Sequence, residues 1–137
     1  QGIWYSVTAY PYMDSFLDCY IWNVTVLNNT SLRLYTIGQA KGSRVNDTFI
    51  LKVTNNGSVW TDQAGHSLAW ISFDPVNGSW GTVIFYDSPN AFIFSKSPSL
   101  NKNIITSQLA LLRSEGYPAT VSNTYFVPNN CTTMKHI

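Results

Sequence analysis

The sequence predicts an all-β chain: an eight-stranded antiparallel up-and-down β-barrel with one C-terminal α-helix packed outside. Three observations lead there. Up to about residue 96, runs rich in Val, Ile, Thr, Phe, Tyr and Trp alternate with short turn clusters. After residue 98 one segment changes to a helical period. Apolar residues make up 45% of the 137 residues and aromatics 15%, enough to fill a core and still line a cavity.

Strands are expected at residues 3–9, 19–26, 31–39, 44–54, 58–62, 67–73, 80–86 and 91–96. The breaks between them are Leu27-Asn28-Asn29-Thr30, Lys41-Gly42-Ser43, Asn55-Asn56-Gly57, Gln63-Ala64-Gly65, Pro75-Val76-Asn77-Gly78 and Ser88-Pro89-Asn90. Asn56-Gly57 is a two-residue hairpin signal, because both residues tolerate positive φ. Eight short strands on short loops suit a meander, and closing it removes the exposed edges. In the helical segment Ser99 is placed to cap the first turn, Gly116 to end the helix in the left-handed conformation, and Pro118 to prevent its resumption. Ile105, Leu109 and Leu112 form the stripe that packs on the barrel. Residues 123–127 are expected to add a short edge strand. The whole chain reads as one domain, with the barrel at about 2–97, the helix at about 99–115 and a tail at 116–137.

Charged residues are only 11%, against roughly 25% in an average globular protein. The net charge of +1 and the lack of any Lys/Arg run exclude nucleic acid as a partner. Carbohydrate is the expected solubilising agent. Asn-x-Ser/Thr occurs at Asn23, Asn28, Asn29, Asn46, Asn56, Asn77 and Asn130, and seven sequons in a charge-poor chain favour passage through the secretory pathway. Cys19 and Cys131 read first as a disulfide in that compartment, with two buried free thiols as the alternative. So long a loop would contribute roughly 4–5 kcal/mol in the chain-entropy model. A chain beginning at Gln1 is expected to be a processed mature form, and no stretch approaches the ~20 apolar residues of a membrane span.

Four segments resemble one family. Gly2-Ile3-Trp4-Tyr5 resembles the Gly-x-Trp-Tyr that opens the first strand of lipocalins. Tyr10-Pro11, Phe16 and Cys19 are similar to the approach to the second strand in the apolipoprotein D and insect bilin-binding branch. The run from Ala91 to Leu100 resembles that branch's last strand and helix entry, and Val127-Pro128-Asn129-Asn130-Cys131 its closing cysteine segment. The chain departs from the branch in three places. Lys96 stands where the family has arginine, Phe73-Asp74-Pro75 replaces its Thr-Asp-Tyr turn, and cysteines for a second disulfide are missing. The resemblance implies that Trp4 lies across the closed end of the barrel under Lys96. That structural pair would be a cation–π contact of about 0.5–2 kcal/mol.

In an eight-stranded barrel alternate residues face inward, and the interior can hold one small ligand. Asn23 carries a sequon and must face out, which turns Tyr20, Trp22 and Val24 inward. Lys52 and Thr54 suit solvent, leaving Phe49, Leu51 and Val53 inside. Val83 and Phe85 are assigned inward, with Thr82, Ile84 and Tyr86 competing. Phe92 and Phe94 share a face with Lys96, and Trp60 joins them. Alternation does not decide between Trp70 and Ile71; Trp70 is assigned inward. Tyr20 and Tyr35 are candidates for polar contacts near the mouth. These residues describe either an aromatic cage for an apolar molecule or a barrel that its own side chains fill.

Catalysis is not expected. His66 sits in a turn and His136 is next to last, the sole glutamate, Glu115, ends the helix, and no metal-ligand or paired-carboxylate spacing occurs. Two functions remain. The first is secreted carriage of a small hydrophobic ligand such as a bilin, fatty acid or similar lipid, with no required cofactor. The second is a structural, nutritive or protein-binding lipocalin with a filled cavity, and a homo-oligomer is open in either case. An inward acidic residue, Asp18 or Asp62, would instead suggest an amine ligand.

Overall fold

A computed structural model describes residues 2–10, 17–40, 43–53, 59–62, 64–86 and 89–129. Cys131, Asn56, Asn130, His136 and the Asn56-Gly57 turn lie outside them. The described chain contains β1 (Gly2–Tyr10), β2 (Leu17–Asn28), β3 (Ser31–Ala40), β4 (Ser43–Val53), β5 (Val59–Thr61), β6 (Ser67–Phe73), β7 (Trp80–Phe85), β8 (Ala91–Ser95), α1 (Lys102–Ser114) and β9 (Tyr125–Phe126). All strand pairs are antiparallel, in the order β2-β3-β4-β5-β6-β7-β8-β1, and the pairing of β1 with β2 closes the eight strands into a barrel. β1 serves both neighbours. Gly2 to Tyr5 pair with β2, and Tyr5 to Tyr10 pair with β8 across an irregularity between Ser6 and Thr8.

Side chains with short polar ends fix the turns. The Asn28 carboxamide oxygen accepts the N–H of Thr30 at 2.9 Å and turns β2 into β3. One Asp62 oxygen accepts the N–H groups of Ala64 and His66, both at 2.9 Å, around Gly65. Between β6 and β7, the Asp74 carboxylate accepts from the Val76 N–H at 2.9 Å and from the Ser79 hydroxyl at 2.7 Å. Those hydrogen bonds, the Ser79 hydroxyl first, hold its pKa at about 2.

The helix begins later than Ser99 suggests. Asn101 is the cap, its side chain accepting the Asn103 N–H at 2.7 Å, so the first helical residue is Lys102. An Asn side chain two residues from the N–H it bonds competes well with Ser at this position. At the other end Gly116 has φ +93° and the Tyr117 N–H donates to the Leu112 carbonyl at 2.9 Å, as the sequence predicts for a glycine stop. Ile105, Leu109 and Leu112 are buried with Ile84, Ala91 and Ile93 on the outside of the barrel. The Thr82 hydroxyl donates to Gln108 Oε1 at 2.7 Å inside that interface.

The edge strand expected at 123–127 is shortened to two residues. Asn123 instead closes a 3₁₀ turn, Val121–Asn123, by accepting the Thr120 N–H at 2.6 Å. β9 then pairs with Thr8 and Ala9, the part of β1 that β2 has left. The Val127 N–H and the Asn129 side chain donate to the carbonyls of Val7 and Ser6 at 3.0 and 2.8 Å. Among the described residues no helix is long and apolar enough to cross a membrane.

Candidate functional site

The inner face of the barrel bounds two apolar chambers. The larger, of about 440 Å³, lies toward the β2–β3 turn and the end of β6. Its walls are Trp4 on β1, Val24 and Val26 on β2, Leu32 on β3, and Trp60, Trp70 and Phe73 from β5 and β6. It reaches the surface beside Val26 and Phe73, which are 54% and 50% exposed. The smaller, of about 110 Å³, lies toward the opposite end, with Tyr20, Thr36, Asp62, His66 and Ser67 in its wall beside Phe49 and Phe85. Trp22, Leu34, Leu51 and Leu68 belong to both and form the partition.

Of the residues that alternation turns inward, Val24, Trp60 and Trp70 line the larger chamber, Tyr20, Phe49 and Phe85 the smaller, and Trp22 and Leu51 both. Val53, Val83, Phe92 and Phe94 line neither. Val83, Phe92 and Phe94 pack solidly in the interior cluster instead. Phe94 lies 4.3 Å from the Trp22 ring, and Phe92 5.4 Å from Tyr20 and 5.8 Å from Phe85, centroid to centroid. Alternation tells which side of a strand a residue faces; it does not tell whether a neighbour has already filled the space.

The undecided strands resolve clearly. Val83 and Phe85 belong to the interior cluster, while Ile84 packs with the helix residues and Thr82 bonds to Gln108. Trp70 faces in and Ile71 packs with the outer cluster. Gly81 makes the position of Trp70 possible, because a Cβ there would lie 2.7 Å from the indole ring. Tyr35 is a correction: it is not at a mouth but on the outer surface beside Asn23, accepting a hydrogen bond from Asn46 Nδ2 at 2.8 Å. It pairs directly with Asn23 across β2 and β3, so the parity that turns Asn23 outward turns Tyr35 outward too.

Several wall residues escape sequence reasoning. Val26, the last residue of the expected second strand, continues the inward parity of Trp22 and Val24. Leu32 and Leu34 lie on a strand whose outer face also holds a buried residue, Ile37, which blurs the alternation. Phe73 is shifted inward by a register irregularity between Trp70 and Ser72, and then stacks on Trp70 at 4.9 Å.

The pair at the start of the barrel is in contact: Lys96 Nζ lies 4.4 Å from the Trp4 ring centroid, and burial lowers the lysine pKa. Trp4 is also a wall of the larger chamber, so its end of the barrel holds space and is not a solid plug. Of the two acidic candidates, Asp62 borders the smaller chamber with one oxygen committed to its turn, and Asp18 borders neither. Cys19 is fully buried on β2 and is not a free thiol. Asn28, Asn29, Asn46 and Asn77 are exposed and Asn23 half-buried. Among the described residues no group of three His, Cys, Asp or Glu side chains could hold a metal ion.

Known structures share this arrangement. The siderocalin Ex-FABP superposes with a TM-score of 0.77 at 13% identity, over 96% of this chain and 95% of its own. The fold is that of a lipocalin. A second siderocalin, described with a dual ligand binding mode, gives 0.73 at 15% identity over 96% and 91%, and the cockroach major allergen Per a 4 gives 0.71 at 13% over 92% and 83%. No family model matches the chain, and no curated protein matches it. The lipocalin fold thus rests on geometry. The motifs that suggest it sit where that geometry uses them: Trp4 on the first strand, and the segment before Cys131 against β1.

Proposed function

We propose that this chain is a secreted lipocalin that binds and carries a small hydrophobic ligand, such as a bilin, a fatty acid or a similar lipid, and that it is not an enzyme. The observation that carries the reading is the larger chamber. Its 440 Å³ falls within the usual range of ligand pockets, and its walls are aromatic and aliphatic. Burying about 300 Å² of apolar ligand surface at roughly 25 cal/mol/Å² gives on the order of 7 kcal/mol before the costs of association. Two of the structural neighbours are described as siderocalins with dual ligand binding, which supports a binding role. The motifs that resemble the apolipoprotein D and bilin-binding branch favour that branch within the fold.

Secretion follows from the sequons and from the proposed Cys19–Cys131 disulfide. In support, Cys19 is buried without a free thiol. The chain two residues before Cys131 is anchored at Ser6 on β1, the strand that pairs with β2. The test is native mass spectrometry of the protein secreted from its own tissue, before and after organic extraction. A discrete mass of small-molecule size that extraction removes supports a carrier, and absorption of red light by the same sample supports a bilin. Glycoprotein mass alone, with no uptake of lipids by the extracted protein, would overturn carriage and leave a structural or protein-binding role.

A further inference from the structure

Two turns at the open end of the larger chamber carry Asn-x-Ser/Thr sequons. Asn28 ends β2 and Asn29 follows it, while Asn77 stands between β6 and β7. In the closed ring of eight strands β2 and β6 are four places apart, so the two turns face each other across the barrel end. Each turn is fixed by its own side chain. Asn28 Oδ1 accepts the Thr30 N–H and hydroxyl at 2.9 and 3.0 Å, and Asp74 accepts the Val76 N–H and the Ser79 hydroxyl. All three sequon asparagines are exposed. The Nδ2 atoms of Asn28 and Asn77, where sugar would attach, meet no partner among the described residues.

The same end is apolar. Val26, Leu27, Phe73 and Val76 gather there, 54%, 47%, 50% and 83% exposed. Val26 and Phe73 are chamber wall, and Leu27 and Val76 each adjoin a sequon asparagine. Toward the opposite end the chamber is closed by Trp22, Leu34, Leu51 and Leu68, none more than 5% exposed. A ligand arriving from that side would have to displace a packed partition, whereas the rim beside Val26 and Phe73 is open. An exposed apolar rim ordinarily marks a place where another protein or a membrane docks. Bulky, hydrophilic sugar rooted on both sides of it keeps such surfaces away and leaves a path for small molecules. Eight tilted strands about 4.8 Å apart close into a barrel roughly 16 Å across, a span that a branched glycan on either turn reaches over.

We propose that the larger chamber loads through the end between the β2–β3 and β6–β7 turns, and that N-glycans on Asn28 or Asn29 and on Asn77 stand over this entrance as a gate that slows ligand exchange. The proposal rests on the carrier reading. A gate that lies on the path without touching the bound ligand slows entry and escape alike, so it changes both rates and leaves Kd in place.

The experiment uses the full secreted chain. Glycopeptide mass spectrometry is expected to find sugar on Asn77 and on one of Asn28 and Asn29. Stopped-flow uptake and release of N-phenylnaphthylamine is then compared in the wild type and two variants. Asn28→Asp/Asn29→Gln/Asn77→Gln clears both turns, and Asp at position 28 keeps an acceptor for Thr30. Asn23→Gln/Asn46→Gln clears the outer face around Tyr35 instead. Both rates should rise about 5-fold in the first variant with Kd held within about 2-fold, and stay within about 2-fold of wild type in the second. Enzymatic removal of sugar from the folded Asn23→Gln/Asn46→Gln chain gives the same comparison where the turn variant fails to fold. Bare asparagines at either turn, unchanged rates, or an equal rise in both variants would overturn the gate and leave carriage standing. Failure of both the wild type and the deglycosylated chain to take up the probe would overturn both.

Discussion

The two halves of the barrel wall are built on different rules. In β7 and β8 nearly every residue is buried, because α1 covers the outside while Val83, Phe92 and Phe94 pack the inside. In β2 and β4, residues such as Asn23, Thr48 and Lys52 face out, and the opposite parity faces the chambers. The covered half is a solid sandwich of helix, sheet and aromatic core. The open half is a single sheet between solvent and a cavity. Side chains on the first therefore matter for stability, and those on the second for what the cavity admits.

The sharpest way to break that contrast is Phe94→Ala. Phe94 is fully buried and holds Trp22, so its loss should cost about 3–5 kcal/mol in denaturant unfolding. A loss below about 1 kcal/mol would mean that the covered half is not close-packed. Next comes Thr82→Val, which removes the hydroxyl bonded to Gln108 and leaves a buried acceptor unpaired. About 1–3 kcal/mol should be lost, with the helix the first region to gain hydrogen exchange. On the open half, Phe73→Ala should cost under about 1 kcal/mol, because the ring is half-exposed, yet weaken uptake of an apolar probe several-fold. A stability loss as large as that of Phe94→Ala would erase the distinction.

The smallest effect belongs to the turn that joins the two halves. The Asp74 carboxyl is held at about 2 against an ordinary 3.8. Its folded pKa is depressed, so its contribution is complete above about pH 4 and is lost as pH falls toward 2. Asp74→Asn should flatten the acid limb of the wild-type stability curve over that interval and change little at neutral pH. An unaltered acid limb would show that the Ser79 and Val76 contacts are not formed in solution.

The same contrast governs what the sequence could reveal. Strand positions were legible because turn residues mark them: Asn28, Asp62 and Asp74 each bond their own loop. Facing was legible on β2 and β4, where a sequon and Lys52 label the outside. It was not legible on β6 and β7, since a helix-covered sheet is apolar on both faces and offers no polar label. The helix start was displaced because Ser99 and Asn101 are both good caps, and only the path of the chain selects between them. In the site, Val24, Trp60 and Trp70 could be found by parity. Phe73 could not, because a register irregularity reverses parity just before it. Val83, Phe92 and Phe94 were turned the right way but packed against other rings, since depth depends on tertiary neighbours that a strand pattern does not encode.

The central claim is that the larger chamber is a binding site and not unused space. It is tested most directly by filling it. Leu32→Trp puts an indole into the chamber from β3, and Arg33→Trp puts the same group on the outer face of the same strand. Titrated with N-phenylnaphthylamine, the wild type and Arg33→Trp should each take up one equivalent, and Leu32→Trp little or none with its circular dichroism unchanged. Undiminished uptake by a folded Leu32→Trp variant would contradict the account and place binding outside the barrel.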